Sequence, residues 1–115
     1  MSTAEIHAQT KLKLDTVRAE LASEISGKQD ACLTCSFQAE DVLLAKLAIE
    51  LDAKIPILFL DTGYHFRETY AYRDRIAREW QLNLINLLPE KTVAEQEAEY
   101  GLLYQSAPDE CCRLR

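Results

Sequence analysis

The chain has 115 residues, 48% hydrophobic and 28% charged, which fits one folded domain and argues against a disordered chain. Thirteen basic and nineteen acidic residues give a net charge of −6, so we expect no nucleic-acid partner and no anionic membrane surface. No apolar run approaches the roughly 20 residues that span a bilayer, and the first thirty residues lack a signal peptide's apolar core and cleavage site. We therefore expect a cytoplasmic protein.

The first predicted element is an amphipathic helix. Ser2 and Glu5 have the spacing of a capping box, and apolar residues recur at helical spacing from Leu14 to Ile25, where Ser26-Gly27 ends the pattern. We treat residues 1–29 as an N-terminal helical segment and residues 30–115 as the main domain.

Strands and helices then alternate along the chain. Residues 31–35, 55–60 and 82–88 are predicted strands, and helical patterns run through 42–51 and 67–80. This alternation predicts βαβ units with right-handed crossovers, and hence an α/β fold with a parallel sheet covered on both faces. A last acidic helix over about 92–100 leads into a polar loop containing Pro108, and we predict no further element after it.

Two loops follow strands and should open on the same edge of the sheet, where α/β proteins bind nucleotides. The first, 36–41, enters a helix N-terminus that can receive an anion, although Glu40 and Asp41 would repel a phosphate placed there. The second, 61–64, contains Gly63, which permits a positive φ. On spacing alone, an ordinary strand-to-helix turn with acidic capping residues is the simpler explanation of the first loop, and a turn after a buried strand explains the second equally well. His65 is expected to line the rim, and Arg67 is the one helix arginine close enough to contact a ligand.

The four cysteines form two pairs. Cys32 and Cys35 have the spacing of a redox or zinc motif, but they lie in a predicted strand and are expected to be buried apolar side chains. Cys111 and Cys112 lie between a polar loop and basic residues, where positive charge favours thiolates that bind metal. Two free thiols near a frayed end are the simpler alternative for this second pair.

Three motifs in this order carry a resemblance to a known family. They are Cys35-Ser36-Phe37-Gln38-Ala39-Glu40-Asp41-Val42, then Phe59-Leu60-Asp61-Thr62-Gly63-Tyr64-His65-Phe66 with Glu68-Thr69-Tyr70, and then Tyr100-Gly101-Leu102 with Asp109-Glu110-Cys111-Cys112-Arg113. Over about residues 30–115 the chain resembles the assimilatory sulfonucleotide reductases.

The resemblance implies an adenine-nucleotide α-hydrolase-like (PP-loop) fold. It also implies that the sulfonucleotide is held by the two loops, with Ser36, Phe37, Gln38, Leu60, Asp61, Thr62, Gly63 and Arg67 as candidate substrate-binding residues. In this family a cysteine pair such as Cys111-Cys112, together with a later Cys-x-x-Cys, binds a [4Fe-4S] cluster. That pair is typical of members that act on adenosine 5′-phosphosulfate (APS) and is absent from most that act on phosphoadenosine phosphosulfate (PAPS).

The implied activity is an adenylyl-sulfate reductase of sulfate assimilation for cysteine biosynthesis. A cysteine thiolate attacks the substrate sulfur and displaces AMP, and thioredoxin then releases sulfite. The nucleophile, the second cluster pair and an arginine-rich substrate loop would fall beyond Arg115. We therefore expect an N-terminal fragment, incomplete at the C-terminus and inactive alone. The alternatives are a PAPS reductase and a nucleotide-binding module without chemistry.

Overall fold

The computed structural model describes all residues, 1–115, as six helices and three strands. In chain order these are α1 (Thr3–Ile25), β1 (Leu33–Thr34), α2 (Ala39–Leu51), β2 (Pro56–Leu60), α3 (Arg67–Glu79), β3 (Asn83–Leu87), α4 (Val93–Tyr100), α5 (Leu103–Ser106) and α6 (Pro108–Leu114). No helix is both long and apolar enough to cross a membrane.

The capping signals in the sequence place the helix starts correctly. The Ser2 hydroxyl accepts the backbone N–H of Glu5 at the start of α1. At α4, Thr92 and Glu95 form a complete capping box, each side chain accepting the other's backbone N–H. These local bonds satisfy N–H groups that a helix start leaves without partners. The residue types that form them therefore mark both helix starts in the sequence.

The three strands form a parallel sheet, as the βαβ pattern predicts, and their order in it is β1-β2-β3. Ile57 pairs with Leu33 on one side and Leu84 on the other, and Leu60 pairs with Leu87 at the carboxyl edge. The α/β fold class is therefore confirmed. β1 is shorter than predicted, with two residues where five were expected.

One face of this sheet carries the core. Ile57 and Phe59 are fully buried there, and the cluster around them draws Val42, Ala45 and Ala48 from α2 and Ile76 from α3. α1 packs on the outside of α2, where Leu14 and Val17 line a groove with Leu43 and Leu47. The division of the chain at residue 29 stays a prediction.

The opposite face is less covered than the sequence predicts. Leu60, Ile85 and Leu87 point away from the core and keep 53%, 40% and 43% of their surface exposed. Successive right-handed crossovers between adjacent strands place both connecting helices on the same side. The expectation of two covered faces is therefore wrong within these 115 residues.

The cysteine-bearing segment also differs from prediction. We expected a loop around Pro108, but Pro108 is the first residue of α6, which carries Cys111 and Cys112. Proline is favoured at this position because its missing N–H is not needed there, and Asp109 and Glu110 suit the first turn. The prediction that Cys32 and Cys35 are both buried is confirmed for Cys35 and wrong for Cys32, which is exposed.

Candidate functional site

Two adjacent cavities lie at the carboxyl edge of the sheet. The smaller, of about 250 Å³, is lined on one side by Ser36 and Asp41 and on the other by Thr62 and His65. The larger, of about 510 Å³, is lined by Cys111, Cys112 and Arg115 together with Tyr64 and Tyr104. Leu60 and Thr62 line both cavities, so the cavity at the two loops and the cavity at the cysteine helix, α6, share a wall.

The first loop, residues 36–41, is closed by its own acidic residue. Asp41 Oδ2 accepts the backbone N–H of Ser36 at 2.8 Å and its hydroxyl at 2.6 Å. The Ser36 hydroxyl, followed by the Ser36 N–H, lowers the pKa of Asp41 below its usual value. Both Ser36 donors are therefore committed, and this corner of the smaller cavity offers a ligand negative charge and acceptors.

Phe37 lies in the left-handed region, with a φ of 63°. Its ring is buried and meets the Phe59 ring edge-on at 5.6 Å between centroids. A bulky residue at positive φ is strained and persists only where packing holds it. Phe37 therefore shapes the loop through the core, and of its groups only the backbone could reach a ligand.

The second loop, residues 61–64, is organised by the Asp61 carboxylate. Oδ1 accepts the hydroxyl of Tyr70 at 2.7 Å and the N–H of Gly63 at 3.1 Å, while Oδ2 lies 3.6 Å from the Arg73 guanidinium. Burial, followed by the hydrogen bond to Asp61, raises the pKa of Tyr70. The Asp61 side chain is thus engaged within the protein and acts by positioning the loop.

Gly63 is required here for two separate reasons. Its φ is +81°, which disfavours other residues, and a Cβ at this position would lie 2.6 Å from Val93 Cγ2 and 2.9 Å from Arg115 Nη2. The loop backbone can approach α4 and Arg115 this closely because residue 63 has no side chain.

Arg115, at the end of the cysteine helix α6, bonds to the second loop. Its Nε donates to the Thr62 carbonyl at 2.7 Å, and Nη1 donates to the Lys91 carbonyl at 2.6 Å and to Gln96 Oε1 at 3.2 Å. The guanidinium also lies over the Tyr64 ring, at 5.7 Å from its centroid. A guanidinium has five N–H donors, so the two on Nη2 remain without a partner in the chain.

The two cysteines of α6 differ in environment although both line the larger cavity. Cys111 is buried and its sulfur accepts the side-chain N–H of Gln96 at 3.6 Å, whereas Cys112 is exposed. No group of three or more His, Cys, Asp or Glu side chains comes together. Two thiols facing one cavity fit half of a cluster's four-thiolate ligand set, and the remaining thiolates are not brought there by these residues.

Of the remaining residues singled out in the sequence, His65 lines a cavity, whereas Gln38 and Arg67 do not. His65 lines the smaller cavity, where its ring packs on Phe59 and Nε2 lies 2.9 Å from the Leu60 carbonyl. Because that carbonyl only accepts, Nε2 carries the proton. Gln38 and Arg67 are exposed and line neither cavity, so their part in binding stays a prediction.

Sequence reasoning missed Arg115, Gln96 and Tyr64 as parts of this site. Arg115 follows Cys111 by four residues, which on a helix places both on one side, but the segment was read as a loop. Gln96 is the one buried polar side chain in the chain, and nothing in the acidic α4 sequence marks it as such.

Comparison with known proteins agrees with this geometry. Residues 30–115 match the family model of the phosphoadenosine phosphosulfate reductase domain. The chain belongs to this family. Adenosine 5′-phosphosulfate reductase of Streptomyces coelicolor is 47% identical over 85 residues, which are 73% of this chain and 35% of that protein. The enzyme of the same name from Mycobacteroides abscessus is 44% identical over 77 residues, 66% of this chain and 32% of that protein.

A solved structure of the family shows the same fold. The phosphoadenylyl-sulfate (PAPS) reductase of Candida auris, in a phosphate complex, superposes with a TM-score of 0.73 at 20% identity. The match covers 99% of this chain and 58% of that chain. The chain spans about a third of the length of the two APS reductases, so membership in the family is shown for this stretch of the fold.

Proposed function

We propose that this chain forms the nucleotide-binding part of an adenylyl-sulfate reductase. That enzyme would be a cytoplasmic oxidoreductase that reduces APS to sulfite and AMP, with thioredoxin as the reductant. The observation that carries the proposal is the shared wall at Leu60 and Thr62, which joins a nucleoside-sized recess to a cavity lined by two cysteines and an arginine. The names of the relatives over this stretch support the same activity.

The two cavities suit different ends of the substrate. The smaller one is lined by Asp41 and by hydroxyl and apolar groups, with no lysine or arginine, so it favours an uncharged adenosine over a phosphate. The larger one is lined in part by Arg115, whose guanidinium supplies positive charge that suits an anion. We therefore place the phosphosulfate toward Arg115 and the cysteines.

The same distribution of charge bears on the choice between APS and PAPS. PAPS carries an additional phosphate on its ribose, and near the smaller cavity this group would meet the Asp41 carboxylate with no lysine or arginine in the lining to neutralise it. We therefore propose APS as the substrate, in agreement with the named activity of the relatives.

The proposed chemistry needs groups beyond those in this chain's cavities. A thiolate attacks the APS sulfur, the bond to AMP breaks, and reduced thioredoxin releases sulfite while its own dithiol becomes a disulfide. A [4Fe-4S] cluster, when bound, would not supply the electrons, and the positively charged groups around it would help to position the phosphosulfate. Cys111 and Cys112 would provide two of its four thiolates. We infer that residues 1–115 alone bind nucleotide but neither hold a complete cluster nor turn over APS.

Isothermal titration calorimetry with two stable product nucleotides tests this proposal. We expect AMP to bind the chain at least about ten-fold more tightly than adenosine 3′,5′-bisphosphate, equivalent to about 1.4 kcal/mol. The Asp41→Asn variant should narrow this preference, and the Glu40→Gln variant, with the same change in net charge, should not. Equal or tighter binding of the bisphosphate would favour a PAPS reductase, and binding of neither nucleotide would reject the proposed site.

A further inference from the structure

The buried amide of Gln96 stands between the cysteine helix and the second loop. Its Nε2 donates to the Cys111 sulfur at 3.6 Å, and its Oε1 accepts from Arg115 Nη1 at 3.2 Å. Arg115 in turn donates to the carbonyl of Thr62 at 2.7 Å. A continuous chain of contacts therefore runs from the Cys111 sulfur through Gln96 and Arg115 to Thr62, in the wall that the two cavities share. We call this chain of contacts the relay.

The orientation of the Gln96 amide follows from its partners. A guanidinium only donates hydrogen bonds, so the amide must present its oxygen to Arg115. The amide nitrogen must then face Cys111, because the chemistry of the two partners leaves no other orientation of the amide. Gln96 is 1% exposed, so water does not compete for either bond.

We propose that Gln96 and Arg115 are positioning residues that couple the Cys111 sulfur to the second loop and, through it, to nucleotide binding. In this role neither residue contacts the reacting atoms. A sulfur that accepts the Gln96 N–H more strongly, such as a metal-bound thiolate, would hold the amide and hence Arg115 more firmly. Because coupling between two sites is reciprocal, a nucleotide seated against the second loop should favour the occupied sulfur by the same factor. The nucleotide part of this inference rests on the function proposed above.

Hydrogen exchange of two amides reports directly on the loop. The N–H of Gly63 bonds to Asp61 Oδ1 and that of Tyr64 to Thr62 Oγ1, so both should exchange faster when the loop loosens. The N–H of Ser36, bonded to Asp41 within the first loop, serves as an internal reference because it makes no contact with the relay.

Substitutions at both ends of the relay should affect this exchange in a specific pattern. Cys111→Ala should speed exchange at Gly63 and Tyr64 about five-fold relative to Ser36, because it removes the sulfur acceptor. Cys111→Ser, which keeps an acceptor, should stay close to the wild type. Cys112→Ala is the matched control one residue away, and it should leave the loop unchanged.

A double-mutant cycle separates coupling from a general loss of stability. Gln96→Glu keeps an acceptor for Arg115 but cannot donate to sulfur, so Cys111→Ala should have little further effect on the loop in that background. Gln96→Met loses both bonds and should itself speed loop exchange, which tests the relay even if Cys111→Ala fails to fold. Equal acceleration at Ser36, or the same Cys111→Ala effect in both backgrounds, would overturn the proposal.

Calorimetry with AMP extends the test to the nucleotide. Gln96→Met should weaken AMP binding about five-fold. Cys32→Ala, which changes an exposed cysteine that lines neither cavity, should leave AMP binding unchanged. If the wild type binds no AMP, the proposed function fails. The hydrogen-exchange pattern still tests whether the relay couples Cys111 to the second loop. If AMP binds and Gln96→Met has no effect on its affinity, the coupling to nucleotide is rejected and the proposed function stands.

Discussion

The two loops at the edge of the sheet are held in different ways. The first, residues 36–41, is closed by bonds between Ser36 and Asp41, five residues apart. The second, residues 61–64, depends on partners far along the chain, since Arg115 bonds to Thr62 across 53 residues and Glu97 accepts the Tyr64 hydroxyl across 33. Apart from the Phe37 ring, which packs on Phe59, the first loop is therefore a local structure. The second forms only when α3, α4 and α6 have assembled around it.

This difference means that substitutions should act differently in the two loops. A change in the second loop should disturb packing between distant elements and cost much of the stability of the fold. A change in the first loop should cost one local interaction. The substitutions below test this contrast, from the largest expected effect to the smallest.

Gly63→Ala should be the most damaging. The positive φ costs about 1 to 2 kcal/mol for a residue with a Cβ, and the clash with Val93 and Arg115 adds about 1 to 3 kcal/mol, for a total of about 2 to 5 kcal/mol. Urea unfolding measures this loss. Gly27→Ala is the matched control, because Gly27 has a φ of +76° but nothing within 4 Å of an added Cβ. Equal losses at the two positions would show that the close approach at Gly63 is not important.

Tyr70→Phe should have an intermediate effect. It removes the hydroxyl that donates to the Asp61 carboxylate at 2.7 Å, and hydrogen bonds to charged groups contribute about 1.5 to 3 kcal/mol. Because the pair is only partly buried, we expect a loss of about 1 to 2 kcal/mol in urea unfolding. Tyr72→Phe on the same helix is the control, since the Tyr72 hydroxyl has no partner within the chain. A loss at Tyr70 no larger than at Tyr72 would mean that Asp61 does not organise the loop.

Asp41→Asn should have the smallest effect, about 1 kcal/mol at neutral pH, because its bonds to Ser36 are exposed. Its pKa is lowered in the folded state, so the carboxylate stabilises the fold above its unfolded pKa of about 4 and loses this contribution as the pH falls through the lowered value. The difference in unfolding free energy between the wild type and Asp41→Asn should therefore shrink toward acidic pH. A difference that is constant with pH would contradict the role given to the Ser36 bonds.

The sequence was most informative where structure is decided locally. The cap at Ser2, the alternation of strands and helices, and the motif carried by Ser36 to Asp41 depend on residues only a few positions apart, and the structure has these features where they were expected. The resemblance to the family was confirmed by the comparisons over residues 30–115.

The sequence was least informative where a side chain acts across the fold. Nothing near Arg115 or Gln96 indicates that they meet Thr62 and Cys111, because those contacts exist only after α4 and α6 pack against the second loop. The error at Pro108 added to this, since reading that segment as a loop concealed the helical spacing between Cys111 and Arg115. The less covered face of the sheet was also missed, because the strand pattern alone does not show the order of the strands, which decides on which side each right-handed crossover lies.

The central claim is that both loops and the cysteine helix surround one nucleotide site. An NMR titration of the isotope-labelled chain with AMP tests it directly. Backbone amide signals of Ser36, Thr62 and Cys112 should shift together and reach saturation with one common dissociation constant, while signals of α1 stay unchanged. Shifts confined to one of the three segments, or saturation at clearly different concentrations, would contradict a single shared site.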